Sequence, residues 1–189
     1  MPTSDMFHGG REDGDPETGF LDAAGLDEIL DGELSRAARH ELPLALVMLE
    51  ISTDKEKLSG DVVSRIAKDV AVTIEGRIRA EDHAARLGPL RFAVLAVETG
   101  DSETIAGDLA AHVRHTVTRS PGYGKDLTVS VGAIDCQFDE LTRHELLREA
   151  ERSLAASILS GAGVAFPAPP NEARPTEAPA ASPRSDQRV

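Results

Sequence analysis

Residues 83–97 have the sequence HAARLGPLRFAVLAV. Two short segments, His83 to Leu87 and Leu90 to Val97, flank the turn signal Gly88-Pro89. Gly and Pro side by side between strand-length segments are a strong marker of a turn. The stretch therefore predicts a β-hairpin, and both of its arms are expected to pair with a central strand.

A helix and a buried strand precede this hairpin. Apolar residues recur at helical spacing from Leu26 to about Leu42, and Pro43 cannot continue the helix. Leu44 to Ile51 is almost entirely apolar, which is typical of a strand covered on both faces, so we predict that it is the central strand. Asp61 is suited to cap a second helix that extends to about Arg79.

Helices and strands also alternate along the chain after the hairpin. A helical pattern covers Ser102 to Arg119, and a strand is predicted from Leu127 to Ile134. Thr142 and Glu145 form a capping box for a last helix that ends near Gly161. Because helices and strands alternate throughout, the sequence indicates an α/β layer fold.

The composition favours one folded domain between two tails. The chain has 189 residues, which is enough for a single core of ordinary size. Residues 1–14 are polar and rich in Gly and Asp, while residues 167–189 hold six of the eleven prolines. We predict that both of these segments are disordered and that residues 15–166 form the domain.

The net charge, the apolar runs and the cysteine content indicate which partners and which compartment to expect. Thirty-three acidic residues against twenty basic ones give a net charge of −13, which disfavours binding to nucleic acid. The longest apolar run, Leu42 to Leu49, is far shorter than the ~20 residues that cross a bilayer. Cys136 is the only cysteine, as expected in a reducing compartment. We expect a cytoplasmic protein without nucleic-acid or membrane partners.

Four segments carry a resemblance to a known family. Asp15 to Phe20, Pro43 to Ile51, Arg86 to Leu95 and Thr128 to Gly132 resemble, in order and spacing, the bacterial diguanylate cyclases. That family is named GGDEF after its Gly-Gly-Asp/Glu-Glu-Phe hairpin. The resemblance covers about Asp15 to Phe166. It implies an α+β sandwich in which helices flank a central, mostly antiparallel five-stranded sheet, with the hairpin at the active edge.

The resemblance also implies a reaction that needs metal ligands. This sequence lacks most of those ligands. Members of the family join two GTP molecules into cyclic di-GMP, and the transfer needs magnesium held by carboxylates. One family carboxylate falls at Glu50, but the acid two residues later is Ser52. Leu90 and Arg91 replace the hairpin acids, so a charge that attracts magnesium becomes one that repels it. We expect no metal site and no cofactor.

The family's phosphate and base contacts are missing as well. Pro89 stands after Gly88 in place of the second glycine, which removes a backbone N–H donor and a freely variable φ. A phosphate-contacting lysine falls at Ile158, and no Asn follows the central strand to contact guanine. We predict a degenerate, catalytically inactive domain. The alternatives are residual GTP binding, a residual metal site at Glu50 and Asp54, and an active cyclase with unusual ligands.

One binding motif of the family is retained. Arg79 and Asp82 match the Arg-x-x-Asp pattern of the inhibitory product site, at the matching distance before Gly88. A guanidinium bonds guanine O6 and N7 or a phosphate, and a carboxylate accepts from guanine N1–H and N2–H₂. The pair is predicted to bind cyclic di-GMP. The alternative is an ordinary surface ion pair across a helix end.

The remaining candidate ligand residues lie on the third predicted helix. An arginine that closes the product site in the family falls near His112, with Arg114 further along the same helix. His112 and His115 could instead be a metal pair, but two isolated histidines lack the further ligands that a metal needs. We predict that His112 and Arg114 contact cyclic di-GMP.

The missing catalytic residues and the retained Arg-x-x-Asp motif together predict a function. We expect a cyclic di-GMP receptor in bacterial second-messenger signalling, which passes the state of its site to a protein partner or to a second copy in a ligand-bridged homodimer. The alternative is a nucleotide-independent interaction module that keeps the GGDEF fold as a docking platform.

Overall fold

The computed structural model describes residues 14–53, 58–120, 122–123, 126–137, 141–161 and 163–166. Helices and strands alternate along this part of the chain, with one direct strand-to-strand turn. In chain order they are α1 (Ala23–His40), β1 (Leu44–Thr53), α2 (Gly60–Glu75), β2 (His83–Gly88), β3 (Arg91–Val97), α3 (Ser102–Arg119), β4 (Leu127–Cys136), α4 (Arg143–Ser160) and β5 (Val164–Ala165). The two predicted tails lie outside the described residues, except for Gly14, which pairs with Leu21.

The five strands form one sheet in the order β2-β3-β1-β4-β5. All neighbouring strands are antiparallel except β4 and β5, which are parallel. This confirms the predicted five-stranded, mostly antiparallel sheet with β1 at its centre. One prediction is wrong: only the second arm of the hairpin, β3, pairs with β1. The first arm, β2, pairs with the outer side of β3, because β4 already occupies the other side of β1.

Helices cover both faces of the sheet, which is why the central strand is apolar along its whole buried length. Val47, Leu49 and Ile51 point into a core shared with α2 and α3. Leu46 and Met48 alternate with them and point into a second core shared with α1 and α4. Strand side chains alternate between faces, so both faces of β1 require apolar residues. Among the described helices, none is long and apolar enough to cross a membrane.

The packing of α4 on β4 is unusually close at Gly132. A β carbon at this position would lie 2.0 Å from the backbone nitrogen of Leu154, so only glycine fits. The helix also supplies hydrogen-bond acceptors to the strand, since the hydroxyls of Ser157 and Ser153 accept from the backbone N–H groups of Val131 and Ala133. These bonds satisfy strand amides at a place where a neighbouring strand is very short.

The helix ends differ from the predicted ones in informative ways. Helix α1 begins earlier than predicted, with Asp22 as its N-cap. Helix α2 begins after Ser59, so Asp61 lies in its first turn and is not the predicted cap. The same helix ends at Glu75, before Gly76, and Arg79 therefore lies in the connection to β2. The predicted bounds of α3 and the capping box of α4 are confirmed.

Candidate functional site

An arginine and a glutamate pair across β1 and β3, at the strand ends where the resemblance implies a metal site. Glu50 near the end of β1 lies directly opposite Arg91, the first residue of β3. The Nε and Nη2 atoms of Arg91 lie 2.7 and 2.5 Å from Oε2 of Glu50. The carboxylate that would contribute to a metal site thus already binds a cation supplied by the chain. A magnesium ion would have to displace it against like charge.

The other residues of this edge do not complete a metal site. Leu90 turns its side chain into the core with α2 and α3 and is only 9% exposed. Ser52, opposite Thr128, offers a hydroxyl and no charge. In the described part of the chain, no three His, Cys, Asp or Glu residues lie close enough together to hold a metal ion. Asp54, the other residue considered for a metal, lies outside the described residues.

A second arginine, Arg86, holds the turn of the hairpin. Arg86 donates to the backbone oxygens of Gly88 and Pro89, so its guanidinium closes the loop in which the family's phosphate cradle would lie. Its Nη1 also contacts the carboxylates of Asp15 and Glu17, at 3.1 and 2.6 Å. The turn is therefore held from inside by side chains, with Pro89 exposed at its tip.

Both carboxylates that hold Arg86 are biased towards their charged forms. Burial works against ionisation of Asp15, but hydrogen bonds from Thr18 and Arg86 outweigh it and lower the pKa of Asp15. Hydrogen bonds from the Ser64 hydroxyl and from Arg86 lower the pKa of Glu17. The segment that opens the domain is thus anchored electrostatically to the hairpin.

The retained motif lies on the α2–β2 connection and lines a pocket. Arg79 and Asp82 share this pocket of about 330 Å³ with residues from the end of β3 and the first half of α3. The Asp82 carboxylate accepts hydrogen bonds from the backbone N–H groups of Arg79 and Val97, at 2.8 and 3.1 Å. Each carboxylate oxygen can accept more than one such bond, so Asp82 is fixed in place and can still accept from a ligand.

The Arg79 side chain differs from that of Asp82 in having no partner in the described structure. The residue is exposed, and no hydrogen bond or ion pair engages its guanidinium among the described residues. The alternative interpretation, a surface ion pair between Arg79 and Asp82, does not match this arrangement. All five N–H donors of the guanidinium are available to an anion.

The pocket contains a second arginine that the sequence analysis missed. Arg77 donates from Nε and Nη2 to the two carboxylate oxygens of Asp108, at 2.8 and 2.7 Å. Both residues line the same pocket as Arg79. Hydrogen bonding to Arg77 lowers the pKa of the Asp108 carboxyl. The only sequence signal was the position of Arg77 two residues before Arg79, and nothing in the sequence pairs it with Asp108.

The two candidate residues of α3 do not lie where they were expected. Nδ1 of His112 is 2.8 Å from the backbone oxygen of Asp108 and 3.3 Å from its carboxylate, so His112 lies behind the pocket wall. Arg114 packs beside the opposite sheet edge, where its Nη2 lies 2.7 Å from the place that a β carbon on Gly163 would take. Neither residue lines the pocket of Arg79 and Asp82, and residues two apart on a helix point about 200° apart, so the two do not face it together. That they contact cyclic di-GMP stays a prediction.

A family profile agrees with this fold. The profile described as "Diguanylate cyclase, GGDEF domain" matches residues 13–162. The chain belongs to the GGDEF domain family. A search of curated proteins finds no match to it.

Solved GGDEF domains superpose over most of the chain. The GGDEF domain of DgcB from Caulobacter crescentus, solved in complex with c-di-GMP, is 21% identical with a TM-score of 0.68, covering 83% of this chain and 96% of that one. The FimX GGDEF domain of Pseudomonas aeruginosa is 16% identical with a TM-score of 0.66, covering 82% and 98%. Diguanylate cyclase SiaD of the same species, in complex with its activator SiaC, is 25% identical with a TM-score of 0.63, covering 79% and 59%.

Proposed function

We propose that this GGDEF domain is a cyclic di-GMP receptor without cyclase activity. The observation that carries the proposal is the placement of Arg79 and Asp82 on one pocket, where two backbone amides hold the carboxylate and none of the described residues bonds the guanidinium. A carboxylate that accepts from guanine N1–H and N2–H₂ and an arginine that bonds a phosphate or guanine O6 and N7 supply complementary contacts to one guanylate.

Two features of the hairpin support the absence of cyclase activity. Phosphoryl transfer depends on metal ions that neutralise charge developing on the phosphoryl oxygens. Here Glu50 binds Arg91, and Leu90 is buried in the core. If the losses of the magnesium, phosphate and guanine contacts each raised the barrier by ~3 kcal/mol, the three together would slow the reaction by ~10⁶-fold or more.

The output of the receptor is proposed to be association. Cyclic di-GMP presents two guanine faces and two phosphates, so a ligand seated on an exposed pocket leaves further groups for a second surface. A protein partner or a second copy of the domain would then bind in a ligand-dependent way, in the bacterial cytoplasm. The crystallised DgcB domain carries c-di-GMP, and this likeness supports the ligand class.

A second candidate function is a nucleotide-independent interaction module. It is favoured by the Glu50–Arg91 pair, which closes the hairpin edge without a metal or a nucleotide. The solved complex of SiaD with SiaC is an example of a diguanylate cyclase bound to another protein.

Calorimetric titration with cyclic di-GMP separates these functions. We expect wild-type protein to bind and Arg79→Ala to lose at least about tenfold in affinity, since a charge-assisted contact is removed. Arg143→Ala is the matched control, because Arg143 pairs with Asp31 on the opposite layer of the sandwich. Absence of binding to wild-type protein would leave the interaction module. Incubation with GTP and magnesium should yield no cyclic di-GMP, and detection of product would refute the inactive assignment.

A further inference from the structure

The pocket that holds Arg79 contains one other arginine, and an aspartate orients it. Arg77 lies just after α2, which ends at Glu75. Its guanidinium donates to both carboxylate oxygens of Asp108 on α3. We propose that Arg77, oriented by Asp108, is a second phosphate-binding residue of this pocket, so that Arg77 and Arg79 together select a ligand with two phosphodiester groups. This inference rests on the proposed function of the pocket.

The geometry of the ion pair leaves Arg77 able to bind a ligand. A guanidinium has five N–H donors, and the pair with Asp108 uses one on Nε and one on Nη2. Three donors remain, and the side chain is 40% exposed where it lines the pocket. Arg77 can therefore hold Asp108 and an anion at the same time. A side chain whose orientation is fixed beforehand loses less conformational entropy on binding than a free one.

The arginine donors of the pocket suit a ligand with two anionic groups better than a ligand with one. Two guanidinium groups, those of Arg77 and Arg79, face the pocket together with two carboxylates, Asp82 and Asp108. Asp82 accepts from backbone amides, and none of the hydrogen bonds among the described residues joins it to the Arg79 guanidinium. Asp108 is bonded by Arg77, and His112 lies on its far side. Each arginine can thus contact one phosphodiester, whereas a ligand with a single phosphodiester would leave one arginine unused.

The proposed role of Asp108 predicts a change in ligand affinity opposite to that expected from its charge alone. An aspartate beside an anion site lowers affinity by repulsion, so its removal would raise affinity if charge alone mattered. If Asp108 orients Arg77, its removal lowers affinity, and only while Arg77 is present. The two roles are therefore distinguished by the direction of the change and by its dependence on Arg77.

The test is a double-mutant cycle with cyclic di-GMP as the probe, measured by calorimetry on the full chain. We expect Arg77→Ala to weaken binding about tenfold or more, and Asp108→Ala to weaken it several-fold. The double variant should bind no more weakly than Arg77→Ala alone. Arg143→Ala, which removes an ion-paired arginine of 39% exposure from the opposite layer, should bind as wild type does. Thermal unfolding of each variant checks that the fold is retained.

Cyclic GMP, which has one phosphodiester, serves as the second probe. We expect it to bind more weakly than cyclic di-GMP and to lose less affinity on Arg77→Ala, and an equal fold-loss for both ligands would contradict the selection for two phosphodiester groups. The inference is overturned if Arg77→Ala binds cyclic di-GMP as wild type does while Arg79→Ala does not, and in that case the receptor function stands. Tighter binding by Asp108→Ala would overturn the orienting role. If wild-type protein binds no cyclic di-GMP, the proposed function and this inference both fail.

Discussion

Arg91 on β3 bonds Glu50 on β1 through two nitrogen atoms, and the register of the sheet places the two residues directly opposite each other. In an antiparallel sheet such a pair is close enough for its charges to interact strongly. The substitution at position 91 therefore does more than delete a metal ligand. It also places a permanently charged guanidinium against Glu50, the carboxylate that remains, so an arginine of the chain occupies the place of a metal ion at this carboxylate.

Replacing Arg91 by an acidic residue should make the stability of the protein depend on a divalent cation. In Arg91→Glu, two carboxylates would face each other across β1 and β3, and we expect a loss of about 1 kcal/mol in the free energy of unfolding without divalent ions. Magnesium at about fivefold its dissociation constant should restore about 1 kcal/mol. Urea unfolding with and without magnesium measures both effects. Arg91→Gln, which creates no facing pair of charges, is the control and should show no magnesium dependence.

Acid should weaken the anchor between the start of the domain and the hairpin. The pKa of Asp15 is lowered in the folded protein, so its contribution to stability is present above its ordinary value of about 3.9 and is lost as the pH falls below it. Arg86 is only 9% exposed in this contact. Arg86→Met should cost about 2 kcal/mol at pH 7, less than a fully buried pair, because Asp15 keeps some access to water.

The pH dependence distinguishes the anchor from simple packing. Denaturant unfolding of wild type and Arg86→Met at pH 7 and near pH 3 should give a difference that shrinks in acid, because Asp15 takes up its proton at a higher pH when Arg86 is absent. A difference that stays constant between the two pH values would mean that Arg86 acts through its aliphatic stem alone.

The sequence predicted the sheet well because its strands carry strong local signals. Pro43 separates α1 from β1, and the turn signal after Leu87 separates the two arms of the hairpin. The end of α2 was predicted wrongly because Ile78 continues the apolar spacing of Ile74 and packs on the same core, although the helix has already ended before Gly76. The spacing of apolar residues indicates which residues are buried. It does not show whether the last of them, here Ile78, belongs to the helix or to the turn that follows it.

The candidate site was predictable only where local spacing determines it. Arg79 and Asp82 are three residues apart, and the backbone turn between them brings both onto one pocket. Arg77 and Asp108 are 31 residues apart and meet only because α2 and α3 pack side by side. An arginine and an aspartate so far apart in the sequence carry no signal of such a contact, so this part of the site required the tertiary structure.

The close approach of α4 to the sheet makes a sharp prediction about two glycines. In Gly132→Ala, the new methyl group would meet the backbone of Leu154 and Ser153 at 2.0 to 2.5 Å, and we expect a loss of at least about 2–3 kcal/mol in unfolding free energy. Gly107 on α3 has no atom within 4 Å of the corresponding position, so Gly107→Ala should stabilise the helix by about 0.5–1 kcal/mol. Denaturant unfolding measures both, and similar effects at the two sites would contradict the described packing.

Tyr123 offers a spectroscopic measure of the packing between α2 and the segment before β4. It is the only tyrosine, and the chain has no tryptophan, so the tyrosinate absorbance of the whole protein reports one side chain. The ring is only 5% exposed, and its hydroxyl donates to Oδ2 of Asp69 at 2.5 Å. Burial and the carboxylate both favour the neutral phenol, and together they raise the pKa of Tyr123 from 10.0 to about 12.

An absorbance titration should therefore show ionisation of Tyr123 at about pH 12 in the folded protein. Because the folded pKa is the higher one, this contribution to stability is complete below the unfolded value of about 10 and is lost as the pH rises from there towards 12. Asp69→Asn should move the midpoint down while leaving it above 10, since the carboxylate charge is removed and the burial remains. Unfolding in urea at the same pH should return the midpoint to about 10. A folded wild-type protein that titrates at the ordinary value would show that Tyr123 is open to water and does not bond Asp69.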